Sequence, residues 1–379
     1  ANAFFRYDEA INFSIFVSAH SKQDALEGYP FLRKKAILIH NTVSDREVIR
    51  KGAEPLAETA CAVPVVVTVN NIRMQKNHLR QIEAMALLKN RGISFQWWNI
   101  GSTSDKGLTR KVKKSIQKHG LGDEFLLLGT RENPYQYMKQ ADVVAVLSDY
   151  ESWSLVITEA KILGKPILAT PTSGALEQLE HEKTGILCDF SAEDIARKLE
   201  ELLQNSKLRK TLQENLQSFR SGEVALGEFE KFMQEALAVR KVSAQSIPDI
   251  LFIIDNLNYQ GGAHNACKEQ ISYLISKGAR VSVFSESMPS VETRKKMLGC
   301  RFTSFFSMPY LRVIPVGLRT CLFSSFFSPQ EQWLKLKLWF AGKMKLENRL
   351  VQPVISSMLR EYFQKFDHVC VMSEGSKYR

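Results

Sequence analysis

Between Ala36 and about Gln204, apolar positions fall into short β-branched runs separated by longer amphipathic stretches. AILIHN (36–41), VPVVVTVN (63–70), SFQWWNIG (94–101), EFLLLG (124–129), DVVAVLS (142–148), KPILAT (165–170) and TGILCD (184–189) read as strands. Most are nearly continuous apolar runs, as expected of strands buried on both faces. Between them Asn77 to Lys89, Leu108 to His119 and Ser154 to Leu163 carry helical spacing. Such alternation predicts an α/β fold, a parallel sheet flanked by helices in a Rossmann-like domain. Two charged helices, Ala192 to Leu203 and Lys207 to Phe219, follow the last strand, and a further helical stretch runs to about Val239.

The polar run VRKVSAQSI (239–247) reads as a linker, and after it the pattern restarts. PDILFIIDNL is a buried strand, GGAHNACKEQISYLISKGA a helix opened by glycines, and RVSVFS a second strand. A fresh βαβ unit predicts a second Rossmann-like domain, so residues 1–245 and 246–379 are expected to fold separately. From Pro289 to Pro329 the chain is rich in Phe and Ser and shows little period.

The length of 379 residues suits two domains, and 44% hydrophobic with 24% charged residues is ordinary for a globular chain. Arg6, Asp8 and Glu9 interrupt the first ten residues, so no secretory signal is expected there. The charge-free stretch from Thr320 to Gln330 is far shorter than the ~20 residues of a membrane span. Six cysteines are scattered with no CxxC pair, which predicts reduced thiols in a cytoplasmic protein and no zinc site. The net charge of +11 is uneven. From Ser246 onward 18 basic face 10 acidic residues, whereas the first 245 carry 33 against 30. A basic excess of this kind asks for an anionic partner.

The chemistry concentrates in SDYESWSLVITEAKILGKPILAT. Glu151 follows an apolar strand, at the carboxyl edge of the sheet where open α/β folds bind ligands. Ser154 and Leu155 open a helix whose free N–H groups and positive dipole end suit a phosphate. Glu159, farther along that helix, is placed to accept hydrogen bonds from a sugar hydroxyl. Taken alone, two glutamates at this spacing are also compatible with a solvated surface.

Glu151-Ser-Trp-Ser-Leu-Val-Ile-Thr-Glu159, followed by Ala-x-x-x-Gly-x-Pro from Ala160 to Pro166, resembles the signature of the retaining nucleotide-sugar glycosyltransferases of GT-B fold. The likeness covers about 200 residues. It extends through NIGSTSDKG, through LGDEFLLLGTRENPYQYMKQADVVAVLSDYE and through TSGALEQLEHEKTGILCD, with IHN (39–41) similar to the family's hinge strand. The resemblance implies a UDP- or GDP-sugar donor, a glycan or lipid-linked acceptor, and a reaction that needs no metal or cofactor. It implies that Glu151 contacts the donor sugar as the catalytic carboxylate and that Glu159 holds the ribose. Lys76 falls on the family's diphosphate lysine, but the partner arginine is replaced by Asn71. Arg73, two residues on, either supplies the missing charge or faces solvent. A non-catalytic sugar-nucleotide-binding or scaffold module is the alternative that this departure keeps open.

The second domain is similar to the amino-terminal start of the same family, with Gly261 and Gly262 as the loop that approaches an acceptor or phosphate. The family carries that domain first, so the order is inverted here. Either the chain is a tandem fragment, joining the end of one transferase to the start of another, or it is circularly permuted. FDHVCVMSEGSK near one end echoes INFSIFVSAHSK near the other, which favours the tandem reading. His264 and His368 do not match the family's catalytic histidine. Finally, QWLKLKLWFAGKMKLENR (332–349) sets Trp333, Leu336, Phe340 and Met344 among lysines. It reads either as a helix lying peripherally on the inner face of an anionic membrane or as a core helix with solvated lysines. Nucleic acid is not expected as a partner, since no recognised binding module is present.

Overall fold

The structure is a computed structural model. It describes residues 14–41, 43–56, 61–219, 227–228, 231–232, 249–254, 262–276, 278–285, 288–297, 299–304 and 368–371. In chain order, β1 (Ser14–Phe16) and α1 (Ala19–Gly28) lead to β2 (Ala36–Leu38), which pairs with β1 in parallel. Helix α2 (Asp45–Gly52) precedes a regular succession: β3 (Val65–Val69), α3 (His78–Asn90), β4 (Gln96–Ile100), α4 (Lys106–Lys118), β5 (Phe125–Gly129) and α5 (Tyr135–Gln140). Then come β6 (Val143–Val146), α6 (Leu155–Ile162), β7 (Ile167–Ala169), α7 (Ser173–Gln178), β8 (Ile186–Leu187), α8 (Ala192–Gln204) and α9 (Ser206–Leu216). The later elements are β9 (Asp249–Ile254), α10 (Gly262–Ser276), β10 (Arg280–Ser285), α11 (Val291–Lys296), β11 (Arg301–Ser304) and β12 (His368–Val371).

Two compact units result: Val17–His20 with His40–Ala225, and Ala1–Phe16 with Ser21–Ile39 and Leu226–Arg379. The first holds a six-stranded parallel sheet in the order β5-β4-β3-β6-β7-β8. Its strands are covered on both sides. Val66, Trp97, Val143 and Ala145 pack with Ile82 and Met85 of α3, Val112 of α4 and Leu199 of α8. Val65, Val67, Val144 and Val146 face the other way, onto Val48 of α2, Met138 of α5 and Ile157 of α6. Each fully buried aliphatic side chain contributes about 1.5–3 kcal/mol, so neither face tolerates a polar alternation. This double burial is why the strands read as continuous apolar runs.

Polar residues set where the helices begin. The Asp105 carboxylate accepts from the Leu108 amide (2.9 Å), so α4 starts two residues before the Leu108 expected from periodicity. Ser154, Thr172, Ser191 and Asn205 cap α6, α7, α8 and α9 in the same manner. Helix α3 begins at His78, after Asn77 in a left-handed conformation (φ 53°). Chain order and strand order part company at β3. The chain runs outward through β4 and β5, then returns to pair β6 on the opposite side of β3. A crevice opens at such a switch point, above the carboxyl ends of the two strands.

The second unit contains a four-stranded parallel sheet, β11-β10-β9-β12, with α10 connecting β9 to β10. Cys267, Ile271, Val281 and Val283 form its core together with Ile39 and Phe232. This division differs from the boundary expected near residue 245. Ile15, Ile37 and Ile39 lie in or against that core, so the β1–β2 pair groups with it although the two are far apart in sequence. Of AILIHN, the strand Ala36–Leu38 therefore groups with the second unit and is not part of the six-stranded sheet, while His40 and Asn41 group with the first unit. The two echoing segments both contain parallel strands, β1 and β12, in different sheets. The linker 239–247, Gly261 and the segment 332–349 lie outside the described residues.

Gly101 closes β4 directly against the Asn70 carbonyl, with which a Cβ would collide, and its φ is +156°. Gly101→Ala is expected to lower stability by about 2–3 kcal/mol, measured as a fall in the unfolding midpoint. Gly120→Ala, where φ is +62° but the space is open, should lose only ~1 kcal/mol, the cost of the conformation alone. Equal losses would remove the close approach as the cause.

Candidate functional site

Two loops flank the crevice between β3 and β6. The first runs from Asn70 through a one-turn 3₁₀ helix (Met74–Lys76) to the start of α3, and the second runs from Leu147 to the Ser154 cap. They are tied together along their length. Lys76 Nζ pairs with Glu151 Oε1, which also accepts from Ser148 Oγ (2.8 Å). The Asp149 amide donates to the Gln75 carbonyl (2.8 Å), Tyr150 Oη to Gln75 Oε1 (2.8 Å), and Arg80 pairs with Asp149 (2.9 Å). With the loops held in this way, the cavity lined by Asn70, Lys76, Ser148, Glu151, Ser154 and Val156 has a volume of only about 10 Å³. That is room for roughly one water. While the Lys76–Glu151 pair is made, nothing larger fits between the loops.

The backbone of the Glu151 loop is held from behind by α7. Glu151 O accepts from the Gly174 amide (2.8 Å) and from Ser173 Oγ (3.2 Å). A Cβ on Gly174 would stand 2.7 Å from the Ser152 carbonyl, so only glycine permits this approach. Gln178, buried at the end of α7, bridges to α6. Its Oε1 accepts from the Ser154 amide (2.9 Å), and its Nε2 donates to Ser154 O (2.9 Å) and Thr158 Oγ1 (3.0 Å). The Ser154 amide, expected among the phosphate-facing N–H groups, is thus already committed. Its hydroxyl caps the Ile157 amide. The N–H groups of Leu155 and Val156 are the ones without a partner among the described residues. They stand at the positive end of α6.

Glu159 does not line this cavity. Its carboxylate accepts from Tyr135 Oη at the start of α5 (3.1 Å). Burial pushes its pKa up to about 7, opposed by the Tyr135 hydrogen bond. Arg73 is the exposed N-cap of the 3₁₀ turn. Asn71 is pinned sideways, its Oδ1 accepting from the Ser102 amide (2.7 Å) on the loop after β4. Gly262 is the first residue of α10, in the other unit. The structure thus brings Lys76, Glu151 and the α6 amides together, and leaves Arg73 and Glu159 outside that cluster.

Two groups escaped the sequence reading. The imidazole of His40 stacks on Trp153 of the Glu151 loop, with centroids 4.3 Å apart and planes 28° from parallel. His78 sits below the first loop in a buried network: Asn99 Nδ2 lies 3.1 Å from Thr68 Oγ1, 3.0 Å from Asn70 Oδ1 and 3.3 Å from His78 Nε2. Burial first, then the charge of Lys76, lower the His78 pKa to about 4, so this ring stays neutral at ordinary pH. A single histidine on a helix carries no motif, and only its packing against β4 reveals the network. Among the described residues, no group of three His, Cys, Asp or Glu side chains is arranged to hold a metal ion, and no helix is long and apolar enough to cross a membrane.

A parallel sheet with charged loops at its switch point defines the class, an α/β protein with a Rossmann-like ligand site. Residues 61–219 match the model of the group 1 glycosyl transferases, and it is this stretch that carries the six-stranded sheet. The chain is 28% identical over 190 residues to the N-acetylgalactosamine-N,N'-diacetylbacillosaminyl-diphospho-undecaprenol 4-alpha-N-acetylgalactosaminyltransferase of Campylobacter jejuni, covering 50% of each. It is 28% identical over 180 residues to the N-acetyl-alpha-D-glucosaminyl L-malate synthase of Bacillus anthracis, covering 46% of each. The chain thus spans about half the length of the curated relatives it matches. Among solved structures it resembles a glycosyltransferase from Rickettsia africae (TM-score 0.55, 21% identity, 64% of this chain and 68% of that one). It also resembles the Anabaena protein HepE in complex with UDP and glucose (TM-score 0.50, 21% identity, 61% and 63%). The fold is that of the GT-B glycosyltransferases.

The displaced pKa of Glu159 couples stability to pH. The folded chain keeps this proton up to about pH 7, whereas the unfolded chain releases it near 4.5. The favourable contribution is complete below the lower value and is lost as pH rises to the higher one. Glu159→Gln, which keeps an acceptor for Tyr135, should therefore raise stability by about 1–3 kcal/mol near pH 8 and change it little near pH 4. Unfolding midpoints at the two pH values test this, and a pH-independent difference would count against it.

Proposed function

We propose that the chain transfers a sugar from a nucleotide-sugar donor, such as a UDP- or GDP-sugar, to a glycan or lipid-linked acceptor with retention of configuration. The proposed setting is the synthesis of cell-surface polysaccharide. The observation that carries this reading is the convergence of Lys76, Glu151 and the free Leu155 and Val156 amides at the switch point. Breaking the bond between the sugar C1 and the diphosphate leaves negative charge on the departing phosphate. Fixed positive groups at that spot stabilise the transition state more than the ground state. Lys76 and the two amides would take this role, with Arg73 adding charge from the rim. Glu151, released from Lys76, would contact the donor sugar, and Glu159 would accept the ribose hydroxyls. This reaction needs no metal. Gly261 and Gly262 would offer backbone N–H groups to the acceptor or a phosphate. The names of the relatives, which include a transferase acting on a diphospho-undecaprenol acceptor, support this substrate class.

The second reading, a sugar-nucleotide-binding module without turnover, rests on Asn71. Its side chain is committed to Ser102, so the cation that the resemblance would place there is missing. Calorimetry with UDP and GDP, followed by a donor-hydrolysis assay, separates the two. Binding with turnover is expected, binding without turnover would favour the module, and no binding would overturn both.

Two substitutions probe the roles. Lys76→Ala should weaken a nucleoside diphosphate at least ~10-fold, since a hydrogen bond to a charged group contributes ~1.5–3 kcal/mol, and leave the free nucleoside unchanged. Equal losses for both ligands would remove the diphosphate role. Glu159→Ala should reduce nucleotide affinity by a similar factor, whereas Ser152→Ala should have little effect; matching effects would exclude the ribose role of Glu159.

A further inference from the structure

Helix α4 carries six cations in thirteen residues, Lys106, Arg110, Lys111, Lys113, Lys114 and Lys118, and no acidic residue. All six are exposed, while Leu108, Thr109, Val112 and Ile116 face the core. At ~100° per residue the six fall within an arc of about 160° centred opposite the buried side, so the charges point straight away from the sheet. Cations on neighbouring elements are paired, as in Lys89–Glu124 (2.6 Å), Arg91–Glu200 (2.8 Å) and Arg80–Asp149 (2.9 Å). The α4 cations have no acidic or hydrogen-bonding partner among the described residues. Along one flank, Thr103, Lys106, Arg110, Lys113, Lys114 and Gln117 line an open groove of about 610 Å³.

We propose that the exposed face of α4 is a docking surface for an anionic lipid bilayer, to which the chain binds peripherally through coulombic contacts. The helix is about 20 Å long, and like charges held on one straight face repel one another, a repulsion that salt screens in part and that an extended anionic surface relieves. A bilayer rich in anionic headgroups supplies that surface, with a favourable contribution from each lysine or arginine near it. The exposed positions of α4 include no apolar or aromatic side chain, so the helix lies on the headgroups without inserting. The same lack disfavours single-stranded nucleic acid, whose bases need stacking platforms. This proposal does not involve residues 332–349, and it does not depend on the proposed transfer reaction.

Co-sedimentation of the full chain with phosphatidylcholine vesicles, with and without about one-third phosphatidylglycerol, tests this. Binding is expected only to the anionic vesicles, and it should be lost between ~0.05 and ~0.5 M salt. Combining Lys106→Gln, Arg110→Gln, Lys113→Gln and Lys114→Gln should weaken partitioning at least ~10-fold, and the pair Lys113→Gln with Lys114→Gln should give an intermediate loss. Neutralising Lys183, Arg197, Lys207 and Lys210, on other elements of the same unit, should leave binding within about twofold. The exposed substitutions are checked for folding by their unfolding midpoints, and the salt response of the unaltered chain is read without any substitution. Four results would overturn the proposal: no binding to anionic vesicles, binding that persists undiminished at high salt, equal loss in both quadruple variants, or α4-dependent binding to nucleic acid with vesicle binding unaffected by the α4 changes.

Discussion

Strands β3 and β6 lie side by side although β4 and β5 intervene in the chain, and the candidate site depends on that pairing. Parallel strands need a crossover, and here the crossovers carry helices over both faces of the sheet. Val66 and Val67, completely buried on opposite faces, fix the register against Val143 and Val144. A one-residue slip would turn each of them onto the wrong face. The loops after the two strands then have to leave the sheet at the same edge and next to each other. Lys76 and Glu151 meet as a consequence of how the core packs.

The crevice is closed by its own charges. Lys76 and Glu151 are both mostly buried, their side chains 19% and 15% exposed, and each needs a counterion there. A ligand that brings its own phosphates can substitute for Glu151 as the partner of Lys76 and free that carboxylate for a hydroxyl. The amides of Leu155 and Val156 are left without a partner among the described residues, while Gln178 occupies the Ser154 amide and Gly174 lets α7 support the loop. Asn71 serves the scaffold instead, tying the loop after β3 to the loop after β4. The positive charge at this crevice is therefore concentrated on one lysine and one helix terminus.

Outside the crevice, charge is arranged differently. Many described cations on other elements of the six-stranded unit pair with an acid, which confines their fields, whereas α4 presents an unbroken basic stripe. A surface that maintains such repulsion gains nothing in stability from it, so the stripe is better understood through what it attracts. The core side of α4 is ordinary, with Leu108, Val112 and Ile116 packed on the sheet. Packing fixes the helix, which leaves the outward residues free to serve a partner.

The sequence alone determined the six strands of the six-stranded unit and its longer helices, because burial on both faces of a parallel sheet leaves continuous apolar runs. The short helices α2, α5 and α7 and the Asp105 cap of α4 emerged only in the structure. It also placed Lys76, Glu151 and the start of α6 in one neighbourhood, since a resemblance carried in motifs preserves the order of loops along a sheet edge. Tertiary structure decided the rest. Which amide stays free at α6 depends on Gln178, and the roles of His78 and Asn71 depend on contacts across β4. The Glu159 pKa depends on burial beside α5, and no local pattern encodes that. The grouping of β1 and β2 with the second unit came from the burial of Ile15, Ile37 and Ile39, whereas the linker was read from polarity alone. Propensity and spacing act within a few residues along the chain, but partner choice for a buried polar or apolar group is settled between segments that only folding brings together.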